Sequence, residues 1–330
     1  MEKRKLGNSD LMITPIAFGA WAIGGWMWGG AEKKDAVDAL ETSIEVGMTT
    51  IDTAPVYGFG QSEEIVGEVI KGKRDKVEIL TKYGMRWEKK LGDFFFSSKD
   101  NEGRPIDIYR YSGKESVIKE CEKSLKRLGT DYIDLYQIHW SDPTTPVEET
   151  MEAMNMLIDQ GKIRYAGVCN YDDALLAEAV KYVNIISDQV PYSMVKRDIE
   201  NDIVPFSKEN DIGILAYSPM QRGLLTGKFS PDHKFNEGDN RPDTPYFQPE
   251  NIKRVNEFLD KIKTLANDKN ASLPQLVLRW TIEQPGITCA LAGARDARQV
   301  KDNLGAMEFS LSEDEIKRIN DELYQLKLEL

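Results

Sequence analysis

Histidine and cysteine are scarce in this chain. Of 330 residues only two are His (His139 and His233) and three are Cys (Cys121, Cys169 and Cys289). Two histidines cannot supply a three-histidine metal centre, and three widely separated cysteines make neither a zinc spacing nor a disulfide framework. No metal is therefore expected, and a reducing, cytoplasmic compartment is the simplest reading. Long apolar runs are missing as well. No stretch of about 18 apolar residues occurs, so no membrane span is expected. Basic excess is absent: 43 Lys and Arg stand against 55 Asp and Glu, a net charge of −12. Nucleic acid and anionic membranes both need a basic footprint, so neither is expected as the main partner. An anionic ligand is admissible only in a locally basic pocket. The basic Lys3-Arg4-Lys5 ahead of the apolar stretch 17–30 imitates a secretory leader. The polar Gly7-Asn8-Ser9-Asp10 break and the Trp- and Gly-rich apolar part suit a strand entering a loop instead, so no cleaved leader is expected.

What is present reads as globular. Hydrophobic residues make up 41% and charged residues 30%, with no low-complexity segment, and the length suffices to bury a large core without staples. Short β-rich runs at 13–18, 49–52, 77–81, 133–139, 163–169, 185–190, 214–217 and 288–292 alternate with amphipathic helical runs. The helical runs are 33–46, 63–70, 114–128, 147–160, 174–180, 203–209, 252–267, 273–283, 298–304 and 313–323. Strands joined by single helices pair in parallel. Eight such units predict an α/β fold of the (β/α)8 TIM-barrel type with two extra helices, one domain over 1–330. A doubly wound open sheet is the alternative, and it is weakened because no Gly-x-Gly-x-x-Gly follows an early strand. Two segments are too long for ordinary connections: 84–113, with Trp87, Phe94, Phe95, Phe96, Tyr109 and Tyr111, and 218–251, with Gly223, Gly227, Gly238, Arg222, Lys228 and Arg241. Both leave the C-terminal ends of strands, where barrel active sites lie, and are expected to wall a pocket.

Four polar residues fall at those strand ends or just beyond: Asp52, Tyr57, Lys82 and His139. An acid, a phenol, a cation and an imidazole on three adjacent strands aim at one mouth. A lysine beside a phenol favours the phenolate, and an aspartate keeps the lysine charged and oriented. Such a group polarises a carbonyl, and with no nucleophile at hand a hydride donor is the natural complement.

The run Ile51-Asp52-Thr53-Ala54-Pro55-Val56-Tyr57-Gly58-Phe59-Gly60-Gln61-Ser62-Glu63 resembles the signature of the aldo-keto reductase superfamily. So do Thr81-Lys82, Asp134-Leu135-Tyr136-Gln137-Ile138-His139-Trp140 and Gly161-Lys162-Ile163-Arg164-Tyr165-Ala166-Gly167-Val168-Cys169-Asn170. The likeness runs from Leu6 to Asn303 and is strongest to bacterial members of the general-stress-protein and inositol-utilisation type. It implies a catalytic tetrad of Asp52, Tyr57, Lys82 and His139, with Tyr57 the proton donor, and NADPH/NADP+ as cofactor. It also implies that Ala20 and Trp21 border the nicotinamide, with Asp52 and Cys169 close by. Asn170 and Gln189 would hold the carboxamide and Tyr217 would stack on the ring. The resemblance further implies that Ser218, Pro219, Met220, Gln221, Arg222 and Lys228 close over the pyrophosphate, joined by Arg241. Gly293, Ala294, Arg295, Gln299 and Asn303 would take the adenosine end, Arg295 meeting a 2′-phosphate. Departures are Cys169 where Ser is usual, Ala292 where Pro is common, and Ala294 without a hydroxyl. The implied activity is reduction of a small-molecule carbonyl substrate. Alternatives are a sugar or polyol dehydrogenase working oxidatively, a low-turnover nucleotide-sensing subunit like the potassium-channel beta subunits, or a Schiff-base barrel using Lys82. Oligomeric state is left open, a monomer being sufficient.

Overall fold

The computed structural model describes residues 2–26, 32–235 and 239–330. Residues 27–30 of the apolar stretch and Gly238 of the second long segment lie outside them. Eight strands close a parallel barrel in chain order, the last pairing with the first. They are β1 (Ile16–Gly19), β2 (Thr50–Asp52), β3 (Glu78–Tyr83), β4 (Ile133–Ile138), β5 (Ile163–Cys169), β6 (Ile185–Pro191), β7 (Gly213–Tyr217) and β8 (Ile287–Gly293). Around them run α1 (Lys33–Glu45), α2 (Gln61–Ile70), α3 (Lys114–Leu128), α4 (Val147–Asp159), α5 (Asp173–Ala179) and α6 (Ile203–Glu209). The ring is completed by α7 (Pro249–Asp268), α8 (Leu273–Glu283), α9 (Ala297–Leu304) and α10 (Glu313–Gln325). This is the (β/α)8 barrel that the alternation predicts, with paired helices after β7 and after β8.

The strands read as apolar runs because they are covered on both faces; every residue of β4 is buried. Between strands and helices lies a continuous apolar layer, to which α3 gives Val117, Cys121 and Leu128. That helix stops at Gly129, whose left-handed φ of 63° lets its N–H reach the Leu125 carbonyl. Inside the barrel, Ala17, Leu80, Leu135, Leu215 and Leu291 pack with Leu6, Leu11 and Ile13. The last three belong to an N-terminal hairpin of Arg4–Lys5 and Met12–Ile13, which floors the barrel.

Two expectations are corrected. The first strand does not run 13–18. Pro15 has no N–H for a ladder, and the chain divides there into the hairpin strand and β1. The segment 84–113 is not a plain loop. It forms a three-stranded antiparallel sheet of Met85–Arg86, Asp93–Lys99 and Pro105–Arg110, the last strand central. Periodicity missed it because the ladder slips between Phe94 and Phe96, which breaks strict alternation. Among its described residues the second segment, 218–251, carries only short 3-10 turns before α7 starts at Pro249, a position where the missing N–H costs nothing.

Candidate active site

The site is assembled from the C-terminal ends of the strands. Asp52 closes β2, Lys82 is the penultimate residue of β3, and His139 follows β4, with its N–H on the Tyr83 carbonyl (2.9 Å). Tyr57 is presented by a turn in which its N–H bonds the Ala54 carbonyl (3.1 Å). The chain then enters α2 through Gly58, Phe59 and Gly60, all at positive φ (69°, 57° and 106°). Phe59 pays steric strain for that conformation, as residues beside functional sites commonly do.

Lys82 is completely buried. Its Nζ donates to Asp52 Oδ1 (2.6 Å), to the Thr53 carbonyl (3.0 Å) and to Tyr57 Oη (3.2 Å). An ammonium has three protons, and all three are taken. Asp52 Oδ2 accepts from Gln189 Nε2 (2.8 Å), so both carboxylate oxygens are held. Tyr57 Oη is therefore an acceptor toward Lys82, and its own proton is free to point into the cavity. Its ring stacks on Trp21 (6.0 Å between centroids) and meets His139 edge-on (5.7 Å).

The electrostatics correct one expectation. Lys82 was expected to bring the phenol down toward neutrality. Burial outweighs the Lys82 ammonium, and the Tyr57 phenol is pushed up to about 12. It stays protonated at neutral pH. For Lys82, burial acts against the ammonium, but Asp52 and its other neighbours together hold its pKa above the ordinary lysine value. Burial, reinforced by Lys82, takes His139 well below the ordinary histidine value, leaving a neutral imidazole.

A cavity of about 850 Å³ extends from these groups across the barrel mouth. Asn170, Gln189, Tyr217, Ser218, Pro219 and Met220 line its middle, and Arg222, Lys228, Arg241, Gly293, Ala294, Arg295, Gln299 and Asn303 its far end. Asn170 and Ser218 have left-handed φ of 59° and 54°. Asn170 also donates to the His139 carbonyl (3.1 Å) and accepts from Tyr217 Oη (2.9 Å). At the far end Arg222 bonds Asn240, and Arg241 pairs with Asp239 (2.9 Å). Burial lowers the pKa of both Arg222 and Arg295, and the nearby Arg241 charge lowers each further. Among the described residues, three guanidiniums thus gather near Asp239 inside an acidic protein.

Besides the fully buried Lys82, three residues implied by resemblance lie outside the cavity lining. Ala20 is buried, its N–H on the Asp52 carbonyl (2.8 Å) and its own carbonyl accepting from Ser62 Oγ (3.0 Å). Cys169 is buried at the end of β5, and that burial raises its thiol pKa well above the usual range. Gln221 faces Ser193, whose Oγ donates to it (3.1 Å). Of the aromatics in 84–113, Phe95 and Phe96 reach the cavity, while Phe94 is 53% exposed and Trp87 packs on Phe59. His233 is exposed and packs edge-on against Phe229 and Phe235. Trp26, Val56 and Met85 beside Tyr57, and Gln275 at the far end, also line the cavity. Trp26 carries no local signal, since its place depends on Ser98 and Lys99, 72 and 73 residues along the chain.

Among the described residues no helix is long and apolar enough to cross a membrane. The sequence profile of the Aldo/keto reductase family matches residues 15–323. The aldo-keto reductase YhdN of Bacillus subtilis (strain 168) is 38% identical over 323 residues, 97% of this chain and 93% of the relative. The NADH-specific methylglyoxal reductase of Escherichia coli (strain K12) is 35% identical over 319 residues, 95% of each chain. Among solved structures, the glycerol dehydrogenase AKR11B4 from Gluconobacter oxydans superposes with a TM-score of 0.89 at 34% identity, over 98% of this chain and 96% of that one.

Proposed function

Because the chain belongs to the aldo/keto reductase family of oxidoreductases, we propose that it reduces aldehydes or ketones to alcohols with NADPH, Tyr57 donating the proton. The observation that carries this reading is the saturation of the Lys82 ammonium by Asp52, Thr53 and Tyr57, which leaves the phenolic proton free to point into the cavity. Bound at this site, a reduced nicotinamide would supply the hydride for the carbonyl carbon. The residues fit such a cofactor: a cationic end of Arg222, Arg241 and Arg295 is relieved by phosphate, and a neutral middle of Asn170, Gln189 and Tyr217 offers amide partners and a ring. Arg295 is read as the group that meets a 2′-phosphate, which favours NADPH over NADH. One domain over 1–330 holds the whole site in this reading.

Tyr57 and the neutral His139 imidazole both donate to the carbonyl oxygen, and the phenol gives up its proton as negative charge develops there. Lys82 then stabilises the phenolate, and Asp52 keeps that ammonium charged. The glycerol dehydrogenase likeness favours one second reading, oxidation of a polyol by the same groups run in reverse. Tyr57→Phe keeps the ring and removes the acid. Turnover of 4-nitrobenzaldehyde is expected to fall by roughly 10²–10⁴, with the NADPH dissociation constant, followed by fluorescence quenching, within about threefold of wild type. Undiminished turnover refutes the role.

A further inference from the structure

Resting on the reductase reading, we infer that Glu63 is a positioning residue for that reaction. Through Thr81 it fixes the end of β3 so that the Lys82 ammonium meets Tyr57. Glu63 lies in the first turn of α2, is wholly buried, and is outside the cavity lining. A carboxylate shut away from water is tolerated only when its oxygens have donors. Here Oε1 accepts from Thr81 Oγ1 (2.6 Å) and Oε2 accepts from Arg127 Nε on α3 (2.6 Å). Apolar groups of the same shape would hold a fold as well. What the polar chain adds is register: two short, charge-assisted bonds set β3, α2 and α3 at fixed distances from one another.

Successive side chains of a strand point to opposite faces. Lys82 therefore projects into the barrel toward Asp52, while its neighbour Thr81 projects out toward α2. The Thr81 hydroxyl is the handle by which the helix layer holds the lysine inside. Ser62 completes the clamp. Its Oγ donates to the Ala20 carbonyl (3.0 Å), so across the 2.8 Å contact with Thr53 Oγ1 the Thr53 hydroxyl is the donor. The Thr53 carbonyl is itself an acceptor of the Lys82 ammonium (3.0 Å), and the Ser62 N–H bonds the Tyr57 carbonyl (3.1 Å). Two consecutive residues of α2 thus hold an acceptor of Lys82, the chain neighbour of Lys82 and the backbone of Tyr57.

The helix that carries them is fixed in turn. A Cβ on Gly60 would come within 2.9 Å of Arg127 Cδ, and one on Gly67 within 2.5 Å of the Arg127 carbonyl oxygen, so α2 lies directly against α3. From the hairpin turn of the inserted sheet, Asn101 Nδ2 donates to Gln61 Oε1 (2.8 Å) and to the Gly24 carbonyl (3.2 Å). This precision matters because the Lys82 contacts differ in length. At 3.2 Å the bond to Tyr57 Oη stands at the far limit of an N–H···O bond, whereas that to Asp52 is 2.6 Å. A small shift of β3 detaches the ammonium from the phenol first and leaves the ion pair intact.

The test is kinetic. Thr81→Val removes the hydroxyl and keeps the shape; Thr81→Ser keeps the hydroxyl. Glu63→Met combined with Arg127→Leu removes the acid together with its counter-charge, so that no stranded charge burdens folding. With 4-nitrobenzaldehyde and NADPH, Thr81→Val and the double variant are each expected to lower kcat roughly 10–100-fold, the loss that a displaced reacting group brings. Either one serves if the other folds poorly. Thr81→Ser should keep kcat within about threefold of wild type, and all three should keep the NADPH dissociation constant within about threefold. The solvent deuterium isotope effect on kcat is expected to rise in the impaired variants, because transfer of the phenolic proton slows relative to the other steps. A role in folding alone lowers the amount of active protein and leaves that isotope effect unmoved. Unaltered kcat in folded variants, lowered kcat with an unmoved isotope effect, or a loss confined to NADPH affinity overturns the inference and leaves the reductase reading standing. So does a Thr81→Ser variant as impaired as Thr81→Val. Absence of carbonyl turnover by the wild type, with NADPH bound, overturns the reductase reading and this one with it.

Discussion

At the scale of single residues, the site depends on an ammonium kept where no water reaches it. Lys82 tolerates complete burial because every proton has an acceptor, one of them the Asp52 carboxylate at 2.6 Å. Breaking such a pair from one side leaves an uncompensated charge, which costs far more than the pair itself contributes. Asp52→Asn is therefore expected to destabilise the fold by about 3–5 kcal/mol, read as a lowered urea midpoint at pH 7. Asp52→Leu combined with Lys82→Met should recover much of that loss while abolishing activity. A double variant as unstable as the single one would place the cost elsewhere than in the stranded charge. The Asp52, Tyr57, Lys82 and His139 grouping was legible in the sequence because each residue sits at or just beyond the end of a readable strand. The direction of the phenol's shift was not legible. It turns on how deeply Tyr57 is covered, by Trp21 and its neighbours, and burial is a property of packing that spacing does not carry.

At the scale of elements, the inserted sheet is tied to the barrel through one buried acid. Glu120 on α3 accepts from the Gly84 N–H (3.1 Å) and from Ser116 Oγ (3.0 Å), and pairs with Arg86 (3.3 Å). Burial outweighs these partners and pushes the Glu120 carboxyl up to about 7. A folded-state pKa above the unfolded one means that the folded protein holds the proton more tightly. The resulting stabilisation is full below the unfolded pKa, near 4.5, and is lost as pH rises toward 7. Glu120→Gln does not titrate. Its stability relative to wild type is expected to improve between pH 4.5 and pH 7.5, by on the order of 1–3 kcal/mol, in denaturant midpoints taken across that range. A constant difference at all pH values would show that Glu120 does not titrate there. The eight strands and ten helices were legible because parallel strands read as apolar runs and amphipathic helices repeat. The inserted sheet was not, since its Phe94-Phe95-Phe96 run obeys no period and its anchors, Trp26 and Asn101, join segments far apart in the chain.

At the scale of the whole molecule, a cationic end of the cavity is set in a chain of net charge −12. Gathering Arg222, Arg241 and Arg295 there has a cost that Asp239 offsets only in part, since the Arg241 charge acts against both of the other guanidiniums. An anionic cofactor that relieves this stabilises the folded state by mass action, about 2.7 kcal/mol at one hundred times its dissociation constant. NADPH is expected to raise the melting temperature by several degrees more than NADH at equal concentration, and Arg295→Ala should abolish most of that difference. Equal shifts for both cofactors in the wild type would deny Arg295 a 2′-phosphate to read. The acidic surface also bears on self-association, and here the slipped ladder has a second effect. Among the described residues Asp93–Lys99 is paired on one side only, so its outer backbone groups are a template on which another chain's strand could add. The extra residue bends that edge out of line and leaves no straight row of donors and acceptors to copy. Deleting one phenylalanine would straighten the strand, turn a ring outward and offer a sticky border to neighbouring molecules. The irregularity that shapes the pocket thus also makes this border a poor template for a neighbouring strand.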